Sequence, residues 1–228
     1  MTAAASLSLP PPFAVVALRE IGDAFAHAQE IAADSGAGTL VWTRRFDLAE
    51  FAIVLEPDDP LRLARRALYP AMNALGDALA ALAPPQRGIT FDWPDSIRVD
   101  HALVGGVRLA WPDIAEDEVP DWIVFGTTIR TVVMQAGEAG FRPLLGGLDE
   151  QGFEELSPSA VIESWTRYFL REMNELAETG FEGAAARWRA RAADDVAIDA
   201  SGNVDGKTLA EALREPGWLD RATGVPYI

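Results

Sequence analysis

The spacing of apolar residues along the chain predicts helices in three regions. Residues 60–82 repeat an apolar side chain at alternating steps of four and three, which aligns them on one helical face, with Pro70 as a candidate kink. Residues 19–34 show a shorter pattern of the same kind. A longer helix from Ser157 and a second one over residues 180–192 are predicted near the end of the chain.

Other apolar runs have the length and composition of strands. Residues 39–45 and 49–57 form two such runs joined by a short loop, and residues 91–112 continue as strands around a polar turn at Asp100 and His101. Residues 121–135 are almost continuously apolar, which is typical of a central strand. The order α-β-β-α-β-β-β-β-α-α predicts an α+β domain whose helices flank a mixed or mainly antiparallel sheet.

We expect one domain over residues 13–192, followed by a short extension. Residues 193–228 are polar and irregular, with one candidate helix at 207–214. The stretch SGNVDGKT at 201–208 suggests a phosphate-binding loop, but only three residues separate Gly202 from Gly206, whereas that loop needs four. A surface turn before a short helix is the preferred interpretation.

Charge and composition exclude several classes of function. The formal net charge is -16, from 35 acidic and 19 basic residues, so nucleic acids and anionic membranes are unfavourable partners. The chain has no cysteine and only two histidines, which leaves no thiolate chemistry and makes a histidine-rich metal site unlikely to form. With no signal peptide and no apolar stretch of membrane-spanning length, we expect a soluble cytoplasmic protein without nucleic-acid or membrane partners.

Residues 91–112, FDWPDSIRVDHALVGGVRLAWP, resemble the signature of the biotin/lipoate protein ligase family. In biotin ligases that signature reads K-W-P-N-D, followed by a K-L-G/A-G-I strand. The helix at 60–82, the strand IVFGTTIR at 123–130 and the helices at 157–190 stand in the same order as in the family. The resemblance implies an α+β catalytic domain that uses ATP and Mg²⁺ to join a small acid such as biotin, lipoate or octanoate to AMP. The acyl group then passes to a lysine of a carrier protein.

The resemblance also implies a ligand cleft built from residues 42–47, 92–96, 104–108 and 126–130. Asp92 and Arg130 take the catalytic positions. The ligand-binding positions are Trp42, Arg44, Arg45, Trp93, Pro94, Asp95, Gly105, Gly106, Val107, Gly126 and Thr127. In this interpretation the glycine pair lets a ligand approach the backbone, and Pro94 holds a turn at the edge of the cleft. A β-bulge and an edge strand without a ligand remain the alternative.

The chain departs from the family at the residues that carry the chemistry. Asp92 stands where the ligases have a lysine that bridges the acid and the α-phosphate, and reversing that charge about 4 Å from a phosphate changes the interaction by roughly 8 kcal/mol. Arg130 replaces an asparagine, and it could either supply the lost charge or neutralise Asp92. Adenylation is therefore expected to be impaired.

Two further differences concern the parts around the cleft. Ligases carry a long loop rich in glycine and arginine between the first two strands of the pattern, whereas here TRRFDLAE connects them. Arg44 and Arg45 could retain an anion contact there or face solvent. The tail after residue 192 is too short for the small barrel domain that many biotin ligases carry, and an acidic carrier protein would meet long-range repulsion.

Two functions follow from these observations. The first is a divergent ligase-like protein that binds a small carboxylic acid or its adenylate, with impaired ligase activity. The second is a non-catalytic ligand-binding or protein-interaction module on the same fold.

Overall fold

A seven-stranded mixed sheet forms the centre of the computed structural model, which describes residues 6–134 and 144–227. Its strands are β1 (Ala14–Leu18), β2 (Thr39–Thr43), β3 (Leu48–Leu55), β4 (Ile89–Asp92), β5 (Ser96–Val99), β6 (Ala102–Ala110) and β7 (Ile123–Arg130). They lie in the order β1-β2-β3-β7-β6-β5-β4. Only the β1–β2 pair is parallel. The predicted α+β class is confirmed, and β7 is the central strand.

Helices cover both faces of this sheet. They are α1 (Ala24–Ser35), α2 (Leu61–Ala64), α3 (Leu68–Leu82), α4 (Pro158–Arg189) and α5 (Leu209–Ala212), with a 3₁₀ turn at Arg65–Ala67. α1 packs on one face, which we call the α1 face, through Ala24, Ala28 and Ala32. α3 and α4 pack on the opposite face, the α3/α4 face, and form the larger core with it. α3 packs against both α4 and the sheet, so most of its residues are buried.

Trp165 attaches α4 to the sheet. Its ring lies 4.8 Å from the ring of Phe51 in β3 and 5.8 Å from that of Phe125 in β7. It also stacks on Phe169, one turn along the same helix, at 4.6 Å. Buried aromatic clusters of this kind contribute both area and specific geometry, so the helix has one well-defined position on the sheet.

α4 consists of two segments that meet at Gly180, as the sequence predicts. Gly180 has φ 72°, outside the helical region. Arg187 lies 3.0 Å from Glu172, although a straight helix would separate residues this far apart in sequence by about 22 Å. The second segment therefore turns back towards the first.

Several elements differ from the prediction. Strand β1 and the two-residue strands β8 (Leu219–Asp220) and β9 (Val225–Pro226) were not predicted, because such short segments contain no clear periodicity. Pro70 does not kink its helix. It lies in the first turn of α3, where proline is tolerated, and the break falls earlier, at the 3₁₀ turn.

Candidate functional site

The register of the central strands sorts the predicted ligand-binding residues onto two faces. Trp42, Phe51, Thr127 and Val107 lie opposite one another in four adjacent strands. Trp42, Phe51 and Val107 belong to the core on the α3/α4 face. The structure therefore places Trp42, Val107 and Thr127 away from the residues of the α1 face, with the sheet between them.

The neighbouring rows lie on the α1 face. Glu50 is opposite Thr128, which is opposite Gly106, and Gly126 is opposite Arg108. Thr43 lies two residues after Val41, which packs under α1, so its side chain shares this face. We call Thr43, Glu50, Arg108 and Thr128 the polar row. The predicted cleft ranges contain Thr43, Arg108 and Thr128, but the sequence analysis named none of them as a site residue, and Glu50 lies outside the ranges. Their alternation with apolar residues was the available signal.

Arg108 is held by the first turn of α1. Its guanidinium lies 4.3 Å above the ring of Phe25 and 3.5 Å from Asp23 Oδ1. Phe25 can reach this position only because residue 126 is glycine, since a Cβ there would overlap the phenyl ring. Burial lowers the pKa of Arg108, and the charges of Asp23 and Glu50 oppose that shift. An arginine remains protonated under these conditions, so the row contains a buried cation.

Glu50 connects the row to α1. The backbone N–H of Ala24, the first residue of the helix, donates to Glu50 Oε1 at 2.9 Å. Burial raises the pKa of Glu50, and this hydrogen bond opposes the shift. Beside it, Thr43 Oγ1, Thr128 Oγ1 and Arg108 Nε are buried without a hydrogen-bond partner among the described residues. Buried polar atoms are nearly always paired, so these three give the row hydrogen-bonding capacity that the described residues do not use.

A cavity of about 490 Å³ opens at the end of the sheet where the β2–β3 loop lies. Arg19, Glu20, Ile21 and Arg44 line it. Ile21 is 97% exposed. Arg45 does not join this cavity wall, because it makes a bidentate ion pair with Asp47 at 3.0 and 2.7 Å. The two arginines of the loop therefore have different environments, and Arg44 is the one beside the cavity.

Asp92 is paired within its own hairpin. Arg98 Nε donates to Asp92 Oδ2 at 2.6 Å, from β5 to β4. Arg130 lies on β7, which β6 and β5 separate from β4, and donates to the carbonyl of Pro226 at 2.5 Å. Arg98, and not Arg130, therefore neutralises Asp92. A diagonal pair across a hairpin was the signal for this in the sequence.

The W-P-D segment forms the turn between β4 and β5, and its Trp93–Pro94 peptide bond is cis. The carbonyl of Asp95 accepts the N–H of Val107 at 2.8 Å, so the turn adjoins β6 as expected. The side chains diverge, however. Trp93 donates from Nε1 to the hydroxyl of Tyr69 on α3 and lines a 240 Å³ cavity, whereas Gly106 faces the other side.

Asp95 has an unusual environment for a carboxyl group. It is 2% exposed, and burial raises its pKa to about 7, against the opposing hydrogen bond from Ser96. Its Oδ2 has no hydrogen-bond partner in the described part of the chain.

The glycine pair has a steric explanation. Gly105 has φ 153°, and a Cβ there would overlap the carbonyl oxygen of Thr128 in the neighbouring strand. The β5–β6 register shifts between Ile97 and Arg98, close to this point, which agrees with the bulge that the sequence analysis kept as the alternative to a ligand contact. A Cβ on Gly106 would overlap the ring of Trp218. The space beside Gly106 is therefore filled by the chain's own C-terminal segment.

Two features are absent from the described residues. No cluster of three or more His, Cys, Asp or Glu side chains in residues 6–134 and 144–227 is arranged to hold a metal ion. No helix in these ranges combines the length and apolarity needed to cross a membrane.

Comparison with known proteins agrees with the fold. Residues 9–190 match the model of the biotin/lipoate A/B protein ligase family. The chain belongs to this family. No curated protein matches it in sequence.

Solved structures of similar proteins include both ligases and a protein without an assigned function. A biotin protein ligase-like protein of unknown function from Silicibacter sp. is 25% identical, with a TM-score of 0.80 over 92% of this chain and 100% of the other. The biotin protein ligase of Aquifex aeolicus is 14% identical, with a TM-score of 0.66 over 84% and 90% of the two chains. That of Leishmania major, in complex with biotinyl-5-AMP, is 12% identical, with a TM-score of 0.61 over 86% and 94%.

Proposed function

We propose that this protein is a divergent member of the biotin/lipoate ligase family that binds a small carboxylic acid or its adenylate on the α1 face, with little ligase activity. The observation that carries the proposal is the polar row. Arg108 supplies a buried cation for a carboxylate, and the unpartnered Thr43 and Thr128 hydroxyls offer hydrogen bonds to a polar ligand.

The relatives support the class of ligand. The ligase of Leishmania major was solved with biotinyl-5-AMP, and that of Aquifex aeolicus with biotin and ATP. In the present chain, Arg19 and Arg44 beside the 490 Å³ cavity are the residues that would meet a nucleotide phosphate. ATP with Mg²⁺ would supply the activated phosphate needed for adenylation.

The environment of Asp92 argues against efficient ligation. A lysine at this position would place a cation beside the reacting carboxylate and phosphate, but here Asp92 and Arg98 neutralise each other at 2.6 Å. Arg130, the other candidate for the lost charge, has its Nη2 on the carbonyl of Pro226. The Asp92–Arg98 pair is neutral as a whole, and the Arg130 guanidinium is directed at the C-terminal segment, so neither takes the place of the lysine.

Binding and catalysis can be tested separately. Calorimetric titration with biotin, lipoate, octanoate and biotinyl-5-AMP should show binding of at least one of them to the wild-type protein. Arg108→Gln should weaken that binding about tenfold or more, because it removes the buried cation. Arg167→Gln is the matched control, since Arg167 is exposed on α4, on the other side of the sheet.

Pyrophosphate release with ATP and each acid measures the chemical step. We expect little release by the wild-type protein. Equal binding by Arg108→Gln and wild type would contradict the site, and rapid pyrophosphate release would contradict the proposed loss of ligase activity.

A further inference from the structure

The C-terminal residues 218–227, which we call the C-terminal hairpin, lie on the α1 face beside the polar row. Trp218 is completely buried there. Its indole N–H donates to the carbonyl of Val107 at 3.1 Å, and its ring packs on Gly106, the residue opposite Thr128. The ring therefore occupies the part of the cleft that the glycine pair opens.

The C-terminal hairpin also contacts a charged side chain of the predicted cleft. Arg130 Nη2 donates to the carbonyl of Pro226 at 2.5 Å. The family resemblance places this cation beside the ligand, but here it contacts the backbone of the C-terminal hairpin. The hairpin is closed by its own hydrogen bonds, from Tyr227 N to Trp218 O at 3.0 Å and from Gly224 N to Asp220 O at 2.8 Å. Its two strands pair with each other and with no strand of the main sheet, so the strand ladder of the main sheet does not depend on the hairpin.

The attachment of the hairpin is small. Trp218 and Leu219 form a separate cluster with Leu103 and Leu145, apart from the two main cores. Strands β8 and β9 share only the pairs Leu219–Pro226 and Asp220–Val225. Segments with few buried apolar contacts open locally at a lower free energy than the core of the same protein.

We propose that the C-terminal hairpin is a cover that competes with ligand for the α1 face, and that ligand reaches the strip beside Gly106 only after Trp218 leaves it. The ligand part of this inference rests on the proposed function. Covering reduces the apparent affinity, because only the fraction of molecules with an open hairpin can bind. The tail thus sets how readily the cleft is accessible.

Hydrogen exchange tests the opening without any ligand. In the full-length wild-type protein, the peptide that covers residues 218–227 should exchange on the order of a hundred times faster than the peptide that covers β7. Exchange of both peptides at the same rate would mean that the hairpin opens only when the whole domain unfolds, and it would overturn the inference.

Titration with biotinyl-5-AMP tests the competition. Trp218→Ala should bind this probe about tenfold more tightly than wild type, since the cover has lost its anchor. Leu219→Ala should change affinity in the same direction, because Leu219 anchors the hairpin through Leu103 and Leu145 without touching the glycine pair. Trp218→Phe, which keeps a ring over Gly106, should stay closer to wild type.

Unchanged or weaker binding by Trp218→Ala and Leu219→Ala would overturn the inference, because Trp218 would then be a wall of the site and not a competitor. The two proposals can fail separately. If the wild type binds the probe and the hairpin variants bind it no more tightly, the proposal of a cover is wrong but the proposed function stands. Absence of binding by every variant removes the proposed function and the competition, while the exchange experiment still decides whether the hairpin opens alone.

Discussion

Arg98 Nε lies 2.6 Å from Asp92 Oδ2, so the acid that we align with the lysine of the ligases is neutralised from the neighbouring strand. Both side chains are about one quarter to one third exposed. The pair is therefore a local feature of the β4–β5 hairpin, and as a whole it presents no net charge to a ligand.

Replacing Asp92 by lysine should not restore ligase activity. The new cation would face the guanidinium of Arg98, and the variant should lose about 1 kcal/mol of unfolding free energy, as expected for a partly exposed pair. Urea unfolding measures the loss, and pyrophosphate release with ATP and biotin, lipoate or octanoate measures activity. The double variant Asp92→Lys/Arg98→Asp should recover the stability without the activity. Rapid pyrophosphate release by either variant would show that one charge was all the reaction lacked.

Gly105→Ala should destabilise the protein by about 3 kcal/mol or more. A Cβ at this residue would overlap a backbone carbonyl in β7, which cannot move without breaking the sheet, and the positive φ adds strain. Gly217→Ala is the control, because a Cβ there meets nothing within 4 Å. Thermal and urea unfolding should separate the two variants clearly. Similar stability of both would mean that the strand pair adapts at low cost.

Asp95 should make stability depend on pH. Its pKa is raised to about 7 by burial, so the folded protein keeps a proton that the unfolded chain releases near pH 4. Wild-type stability relative to Asp95→Asn should therefore fall as pH rises from about 4 to 7, by up to about 1.4 kcal/mol per pH unit, and stay level above that range. Urea unfolding of both proteins at several pH values gives the difference. A difference independent of pH would show that folding does not raise the pKa of Asp95.

Glu172 should be important for the joint between the two segments of α4. It is fully buried, accepts hydrogen bonds from Arg187 at 3.0 and 3.2 Å, and lies 3.3 Å from Asn73 Nδ2. Glu172→Gln should cost about 3 kcal/mol of unfolding free energy, since it removes the buried carboxylate from the ion-pair network and leaves Arg187 only the partly exposed Glu175 as a charged partner.

Glu175→Gln is the matched control for Glu172. Glu175 pairs with the same two arginines, Arg171 and Arg187, but it is about one third exposed. Its loss should cost less than about 1 kcal/mol. Equal effects of the two substitutions would place the importance of the network in its arginines and not in the buried carboxylate.

The protein should show no binding to duplex DNA at physiological salt. A net charge of -16 has the wrong sign for the counterion release that supplies most non-specific affinity. A gel-shift titration at micromolar protein checks this. A salt-sensitive shift would reveal a basic surface that the overall charge conceals.

The sequence by itself determined the family and the layers of the fold. The apolar periodicity over residues 60–82 and the continuous run at 121–135 are local patterns, and each one requires a buried helix or a central strand wherever it occurs. The break at Gly180 was also visible, because a glycine with its φ freedom is the usual way to end one helical segment and start the next.

Only the tertiary structure decided which residues meet on each face. Trp42, Val107 and Thr127 were expected beside Gly106, but a strand turns alternate side chains to opposite faces, and a shift of one position moves a residue from the cleft to the core. The contact between Trp218 and Gly106 joins residues far apart in sequence. No local pattern encodes such a contact, because it depends on where the chain's end returns to the sheet.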